Sequence, residues 1–227
     1  GFMSAAERDG VADVAIVSAG MVGATLACAL SRRGLRVALV ESGELAWPPA
    51  AFDPASDVDL RVSAISVASE QIFRSLGFWD ALAARRVSPY REMHVWDATG
   101  SGRIHFDCAG IPWPHLGHIV ENRLIRDAAL EALHATGRVR VHSGLAVTAL
   151  ETDRRRARLG LSDGREVAAS LVVAADGADS RLRDLAGLGT VGHGYGQRAV
   201  VTHVETQLPH DETARQRFMP AGPLALL

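Results

Sequence analysis

At 227 residues, with 48% apolar and 22% charged content, the chain is long enough to bury a real core and is ordinary in composition for a soluble globular protein. A formal net charge of −2 excludes the basic footprint of a nucleic-acid binder. Two cysteines, Cys28 and Cys108, exclude a disulfide framework and fit a reducing cytosol.

Residues 1–12 carry no apolar core of a signal peptide and are expected to be loose, with Gly1-Phe2 ahead of Met3 reading as a tag remnant. Asp13 to Val17 is a short apolar run of the kind a buried parallel strand leaves. A small-residue turn, Ser18-Ala19-Gly20, leads into a helical pattern in which Val22, Leu26 and Leu30 recur, and Gly34 is placed to end that helix as a left-handed cap. Leu35 to Val40 reads as a second buried strand with Glu41 at its end. Strand, glycine turn, helix, strand and acid make up the dinucleotide-binding βαβ pattern, in which the turn and the positive helix end face a pyrophosphate and the acid accepts ribose hydroxyls.

Ser18 occupies the first glycine position of that turn, while Gly20 and Gly23 keep the second and third. If residue 18 needs positive φ, its Cβ costs roughly 1–2 kcal/mol.

After Glu41 a proline-punctuated loop runs through Trp47-Pro48-Pro49 and Asp57 to Asp59, a length that in compact domains often serves function. Arg61 stands at its exit; by spacing alone it is either a solvated surface charge or a partner for phosphate, whose oxygens a guanidinium matches. A helix is predicted from about Ser66 to Leu76, broken by Gly77 and resumed over Trp79 to Ala84.

From Val87 the pattern changes to alternation, and Glu92 to Asp97 with Arg103 to Phe106 reads as an antiparallel hairpin. Trp96 and Phe106 on it are candidates for lining a ring pocket, although the alternation fits strand core equally well. A proline loop, a helix from about Arg123 to Ala135 with Ile125, Ala129 and Leu133 on one face, and a strand at Val139 to His142 follow. That strand is expected to rejoin the parallel sheet. A second hairpin spans Ala146 to Leu161, with Arg154-Arg155-Arg156 as a solvated tip. His115 and His118 lie three apart with no third ligand nearby in sequence, so no metal site is expected.

The buried strand Leu171 to Ala175 runs into Asp176-Gly177-Ala178-Asp179-Ser180-Arg181-Leu182-Arg183. This segment resembles the second fingerprint, D-G-x-x-S-x-x-R, of FAD-dependent aromatic hydroxylases of the para-hydroxybenzoate hydroxylase type. The stretches DLRVSAIS, PYREMHVWD, LGHIVENRLI and ARQRFMPAGPLALL are similar to the polyprenylphenol hydroxylases of ubiquinone biosynthesis. The resemblance runs from about residue 13 to the last residue, whereas family members continue to a further G-D motif, so a truncated chain that is inactive alone is expected. It implies that Ser18, Gly20, Gly23 and Glu41 serve the ADP part of FAD. Arg61 and Arg123 then fall near the pyrophosphate and the flavin side, and Asp176 at the junction of FAD and the nicotinamide donor.

The fold class implied is α/β: a Rossmann-like FAD-binding domain with a parallel sheet, over residues 1–86 and 119–190, interleaved with part of a β-rich substrate domain over 87–118 and 191–227. The function implied is flavin-dependent ring hydroxylation of a polyprenylphenol, with O2 and with NAD(P)H or another electron donor as reductant. No catalytic side chain is named. Partners implied are the prenylated substrate, a peripheral membrane surface and other ubiquinone-synthesis proteins, with a cytoplasmic location at the inner face of the membrane. Two alternatives stand beside it: a non-catalytic fragment or assembly partner of a ubiquinone-synthesis complex, and a flavin oxidoreductase acting on another phenol or isoprenoid.

Overall fold

The computed structural model describes residues 10–227. The loose N-terminal stretch expected from the sequence therefore lies, as far as residue 9, outside the described residues, and Ala12 already belongs to the first strand. The chain forms two compact units, one reaching to Asp53 and resuming over Ile125–Arg198, the other made of Pro54–Leu124 and Ala199–Leu227.

In the first unit, β1 (Ala12–Val17), helix α1 (Met21–Arg32) and β2 (Val37–Val40) realise the βαβ pattern, with β1 and β2 parallel. Both faces of these strands are covered. Ala15, Val17, Ala38 and Val40 enter one cluster with Leu145, Val147, Leu159, Leu161, Val167, Ala169 and Leu182, while Ile16 and Leu39 are fully buried on the opposite face. Burial on this scale is worth about 1.5–3 kcal/mol for each large aliphatic side chain. That is why the strands read as unbroken apolar runs rather than alternations.

Helix α1 does not bury the Val22, Leu26 and Leu30 stripe that the sequence suggested. Val22 is 63% exposed, and the buried positions are Gly23, Ala24, Ala27, Cys28 and Ser31. A helix that must lie close to a sheet turns its smallest side chains inward, and larger aliphatic ones at those positions would hold it away. The helix ends as expected: Gly34 has φ +88°, its N–H donates to the Ser31 carbonyl, and the Leu35 N–H donates to the Leu30 carbonyl. This is a Schellman cap.

Three further parts complete the unit. The run Asn122–Ala135 forms α4, on which Ile125, Ala129 and Leu133 are buried. β8 (Val139–His142) rejoins the sheet parallel to β2. β9 (Val147–Thr152), β10 (Ala157–Leu161) and β11 (Glu166–Ala174) follow as an antiparallel meander, and β11 also pairs parallel with β1. The sheet order is β8-β2-β1-β11-β10-β9. β11 is longer than the predicted strand because its first half serves the meander and its second half the parallel sheet. A short helix, α5 (Arg181–Leu185), follows it.

The second unit holds two sheets. β3 (Val62–Ser66), β4 (Val87–Tyr90) and β7 (Gly117–Glu121) form an antiparallel sheet in the order β3-β7-β4. Helices α2 (Val67–Ser75) and α3 (Trp79–Ala83) supply Phe73, Trp79 and Leu82 to the unit's core beside Phe78. Ser66 caps α2 through its hydroxyl, which accepts from the Ser69 N–H. β3, β7 and β4 form a sheet of their own, and residues 54–86 and 119–124 group with this unit, and not with the parallel sheet.

The other sheet has the order β13-β12-β5-β6 and contains the predicted hairpin as β5 (Glu92–Asp97) and β6 (Arg103–Asp107). β12 (Thr213–Met219) lies parallel to β5, and β13 (Gly222–Leu226) closes a hairpin with β12. Phe106 stands opposite Met93, whereas Trp96 stands opposite Arg103. Side chains alternate along a strand, so Trp96 and Phe106 lie on opposite faces and cannot line one pocket.

Candidate functional site

The candidate site of the first unit is built where three parallel strands end side by side. Val17 is in register with Val40 on β2 and with Ala174 on β11, the Ser18 N–H donates to the Val40 carbonyl at 2.7 Å, and the Ala175 N–H donates to the Val17 carbonyl at 3.0 Å. Ser18, Glu41 and Asp176 therefore leave the sheet from neighbouring strand ends. The chain continues from β1 to β2 on one side and returns as β11 on the other. Carboxyl ends at such a change of direction are where open α/β sheets bind ligands.

Within the turn, Ser18 has φ +83°, the left-handed conformation that a glycine would adopt without strain. Its hydroxyl accepts from the Gly20 N–H at 3.3 Å and donates to Glu41 Oε2 at 3.4 Å. The same Oε2 accepts the Ala19 N–H at 2.6 Å, while Oε1 accepts the Gly43 N–H at 2.9 Å and the Ser42 hydroxyl at 3.4 Å. The Glu41 carboxylate thus ties the β1–α1 turn to the turn after β2. A ribose hydroxyl would share an acceptor with one of the long serine bonds.

The two glycines have different reasons to be glycine. A Cβ on Gly23 would sit 1.9 Å from the Ser18 carbonyl oxygen, so the turn itself forbids any side chain there. A Cβ on Gly20 would meet nothing of the protein nearer than Ser18 Oγ at 3.6 Å. The fold tolerates a side chain at Gly20, and the space it leaves open borders the start of α1. No side chain caps that helix and its first turn holds no acid. Its leading N–H groups are consequently available to an anion at the positive end of a 12-residue helix. An open glycine approach, uncapped donors and a carboxylate one strand away fit the diphosphate and ribose of a dinucleotide.

Asp176 is held by its own segment. Oδ1 accepts the Ser180 hydroxyl at 2.5 Å and Oδ2 the Leu182 N–H at 3.1 Å, while the Ser180 hydroxyl caps α5 by accepting from the Arg183 N–H. Burial pushes the Asp176 carboxyl up, but the Ser180 and backbone hydrogen bonds outweigh it and hold the group below its ordinary value. It stands ionised at the sheet end, shaping the turn it belongs to.

Arg61 and Arg123 lie in the second unit and differ in their engagements. Arg61 is exposed, and its guanidinium makes no hydrogen bond or ion pair among the described residues. Arg123 donates to the Asp57 carbonyl at 3.0 Å and to Ser56 Oγ at 3.4 Å and lies 3.6 Å from Glu121. Beside it, Arg86 is a residue that spacing gave no reason to single out. It donates to both oxygens of Glu121 and to the carbonyls of Pro54, Ser56 and Asp57, so it fastens the loop after Asp53 to β7. Burial pushes the Glu121 carboxyl up, yet hydrogen bonds from Arg86 and the Asp59 N–H, with the Arg86 and Arg123 charges, keep it below its ordinary range.

His115 and His118 do acquire a third group, contrary to their reading from sequence. Glu70, 1% exposed, accepts His115 Nε2 at 2.8 Å and lies 3.3 Å from His118 Nδ1, while Arg74 pairs with its other oxygen at 2.7 Å. Sequence reading missed Glu70 because it is 45 residues from His115.

Comparison with known proteins identifies the family. The family model of the FAD binding domain matches residues 11–219. The 3-demethoxyubiquinol 3-hydroxylase of Escherichia coli K12 is 36% identical over 215 residues, covering 95% of this chain and 54% of the relative. The ubiquinone hydroxylase UbiL of Rhodospirillum rubrum is 39% identical over 219 residues, covering 96% and 49%. The chain thus spans about half the length of the curated relatives it matches. Among solved structures, Pseudomonas aeruginosa PqsL superposes with a TM-score of 0.65 at 23% identity, covering 81% of this chain and 48% of that one. The p-nitrophenol 4-monooxygenase PnpA of Pseudomonas putida DLL-E4 does so at 0.64 and 20%, covering 81% and 45%. At such identity these two show a shared fold. With the strand-end turn, the open helix start and the family match in agreement, the chain belongs to the FAD-binding-domain family.

Proposed function

We propose that the whole protein is a flavin-dependent monooxygenase that hydroxylates the ring of a polyprenylphenol intermediate in ubiquinone biosynthesis. The observation that carries this reading is the identity of 36% and 39% to two ubiquinone-pathway hydroxylases across nearly all of this chain. When bound, FAD supplies the oxygen-activating redox chemistry, with NAD(P)H or another donor as the source of electrons.

The work of this chain's residues is to hold and orient. Gly20 admits the diphosphate to the start of α1, Ser18 and Gly23 shape the turn, and Glu41 receives the adenosine ribose. Arg61, with its guanidinium uncommitted, is the phosphate or flavin-side cation of the second unit. Arg123 acts there through the loop it fastens, and Asp176 keeps the second fingerprint turn in place. The second unit carries the substrate side. Among the described residues no helix is long and apolar enough to cross a membrane. A prenylated substrate resides in a membrane, and the whole protein takes it from the membrane surface, at the cytoplasmic face, by peripheral contact.

The test supplies the whole protein with FAD, NADPH, O2 and a short-chain prenylphenol and follows the product by mass. Addition of one oxygen atom to the ring is the expected result. Ring hydroxylation of simple phenols with no turnover of any prenylated one would overturn the substrate assignment. Gly20→Ala should weaken flavin binding while leaving the unfolding midpoint unchanged, since only the ligand side of that position is crowded.

A further inference from the structure

On the β5–β6 hairpin, Glu92, His94 and His105 form a cluster that the flavin site does not use. His94 and His105 are directly opposed in the antiparallel register, and Glu92 lies two residues before His94 on the same strand. The period of a strand places all three on one face. Glu92 Oε2 receives His94 Nε2 at 2.9 Å and His105 Nε2 at 3.0 Å, and the two imidazole rings are 4.2 Å apart between centroids. One ligand atom from each residue lies within 4.8 Å of the other two.

We propose that Glu92, His94 and His105 form a site for a divalent transition-metal ion of the zinc type, bound by two imidazoles and one carboxylate. The donor set suits the ion, since imidazole nitrogen and carboxylate oxygen are both ordinary zinc ligands. The distances also suit it. Bonds of about 2.0–2.2 Å in a tetrahedral arrangement set neighbouring ligand atoms roughly 3.3–3.5 Å apart. The present separations of 2.9 and 3.0 Å need only open by a few tenths of an ångström. The side chains are 42–48% exposed and free to make that adjustment, with water completing the coordination.

The backbone beneath them is fixed, because β5 is paired on both edges, by β6 and by β12. Arg215 is in register with His94 on the adjoining strand, but its guanidinium donates to the His210 and Thr213 carbonyls and leaves the carboxylate to the histidines. The buried Glu70, His115 and His118 group lacks this freedom, since Arg74 already neutralises its carboxylate. Among the described residues no fourth side chain joins the Glu92 group, so the ion is assigned a role as a clamp between β5 and β6.

The experiment titrates ZnCl2 by calorimetry into chelator-treated full chain carrying Cys108→Ser, which removes the half-exposed thiol as a competing ligand. One equivalent is expected to bind. Even indirect partners of a ligand cost roughly 10–100-fold in affinity when removed, so His94→Ala, His105→Ala and Glu92→Gln should each lower affinity at least tenfold. His115→Ala should bind as the parent does. Circular dichroism of each variant confirms that the hairpin change has not unfolded the chain, which the exposure of all three residues predicts. Absence of saturable binding would overturn the proposal. So would binding that survives His105→Ala, or binding that is lost in His115→Ala. The readout is independent of flavin, so it stands or falls apart from the proposed enzymatic activity.

Discussion

Replacing Ser18 by glycine is the sharpest probe of the dinucleotide turn, because two structural terms oppose each other there. With φ at +83°, the serine Cβ carries a strain of roughly 1–2 kcal/mol that glycine would relieve. The hydroxyl makes two hydrogen bonds, at 3.3 and 3.4 Å, both at the long end of useful range. At about 0.5 kcal/mol each, the low end for such bonds, they offset about 1 kcal/mol of that strain. Glycine also loosens the unfolded chain by about 0.4–1 kcal/mol. Ser18→Gly should accordingly change stability by less than about 1 kcal/mol, whereas Ser18→Ala keeps the strain, loses both bonds and should cost about 1 kcal/mol. Urea unfolding of the three proteins at unchanged m-value reads the order directly, and flavin titration of the same samples shows whether it carries into binding. An alanine variant as stable as the parent would show that the hydroxyl bonds contribute nothing. A glycine variant less stable than alanine would show that the strain at residue 18 is smaller than the roughly 1 kcal/mol by which glycine can loosen the unfolded chain, and would refute the reasoning.

Other expectations follow from the same geometry. Gly23→Ala brings a Cβ to 1.9 Å from the Ser18 carbonyl oxygen and should cost at least about 1–3 kcal/mol in unfolding free energy, unlike Gly20→Ala. Glu41→Ala should lose both flavin affinity and fold stability, by about 1.5–3 kcal/mol in stability, because the carboxylate accepts the Ala19 and Gly43 N–H groups even without a ligand; intact stability would limit its role to the ribose. Asp176→Asn cannot serve the Ser180 hydroxyl and the Leu182 N–H equally and should cost about 1–2 kcal/mol, read as a lower melting temperature. Acid should act in two stages. Burial lowers the pKa of His118 and of His142, so the stability tied to their neutral forms is complete above the ordinary 6.5 and lost as pH falls below it. Burial opposes ionisation of Glu70, but Arg74 and His115 hold its carboxyl below the ordinary 4.5, so its contribution is complete above that value and lost on further acidification through the folded pKa. Unfolding midpoints flat from pH 7 to 5 would contradict the first stage.

Much of this organisation is legible in the chain because it is local. The β1–α1–β2 unit, the Gly34 cap, the β5–β6 hairpin and the helix following Ser66 each depend on residues a few positions apart, and their propensities and periodicities survive without tertiary context. The return of β8 to the parallel sheet was legible for the same reason, as a strand directly following a helix.

What the tertiary structure alone decided are the choices among faces and the meetings of distant residues. It turned the small side of α1 inward, because the distance between helix and sheet, and not hydrophobicity, selects which stripe is buried. It set Trp96 and Phe106 on opposite faces, since strand register depends on the partner as well as on the strand. The buried Glu70 reached His115 from 45 residues away, and Arg86 reached Glu121 from 35, in pairings that no spacing encodes. Ser18 itself shows the division. Its place in the glycine pattern was visible in the sequence, but its positive φ and its bonds to Gly20 and Glu41 exist only because β1 and β2 end side by side, bringing residue 41 beside residue 18.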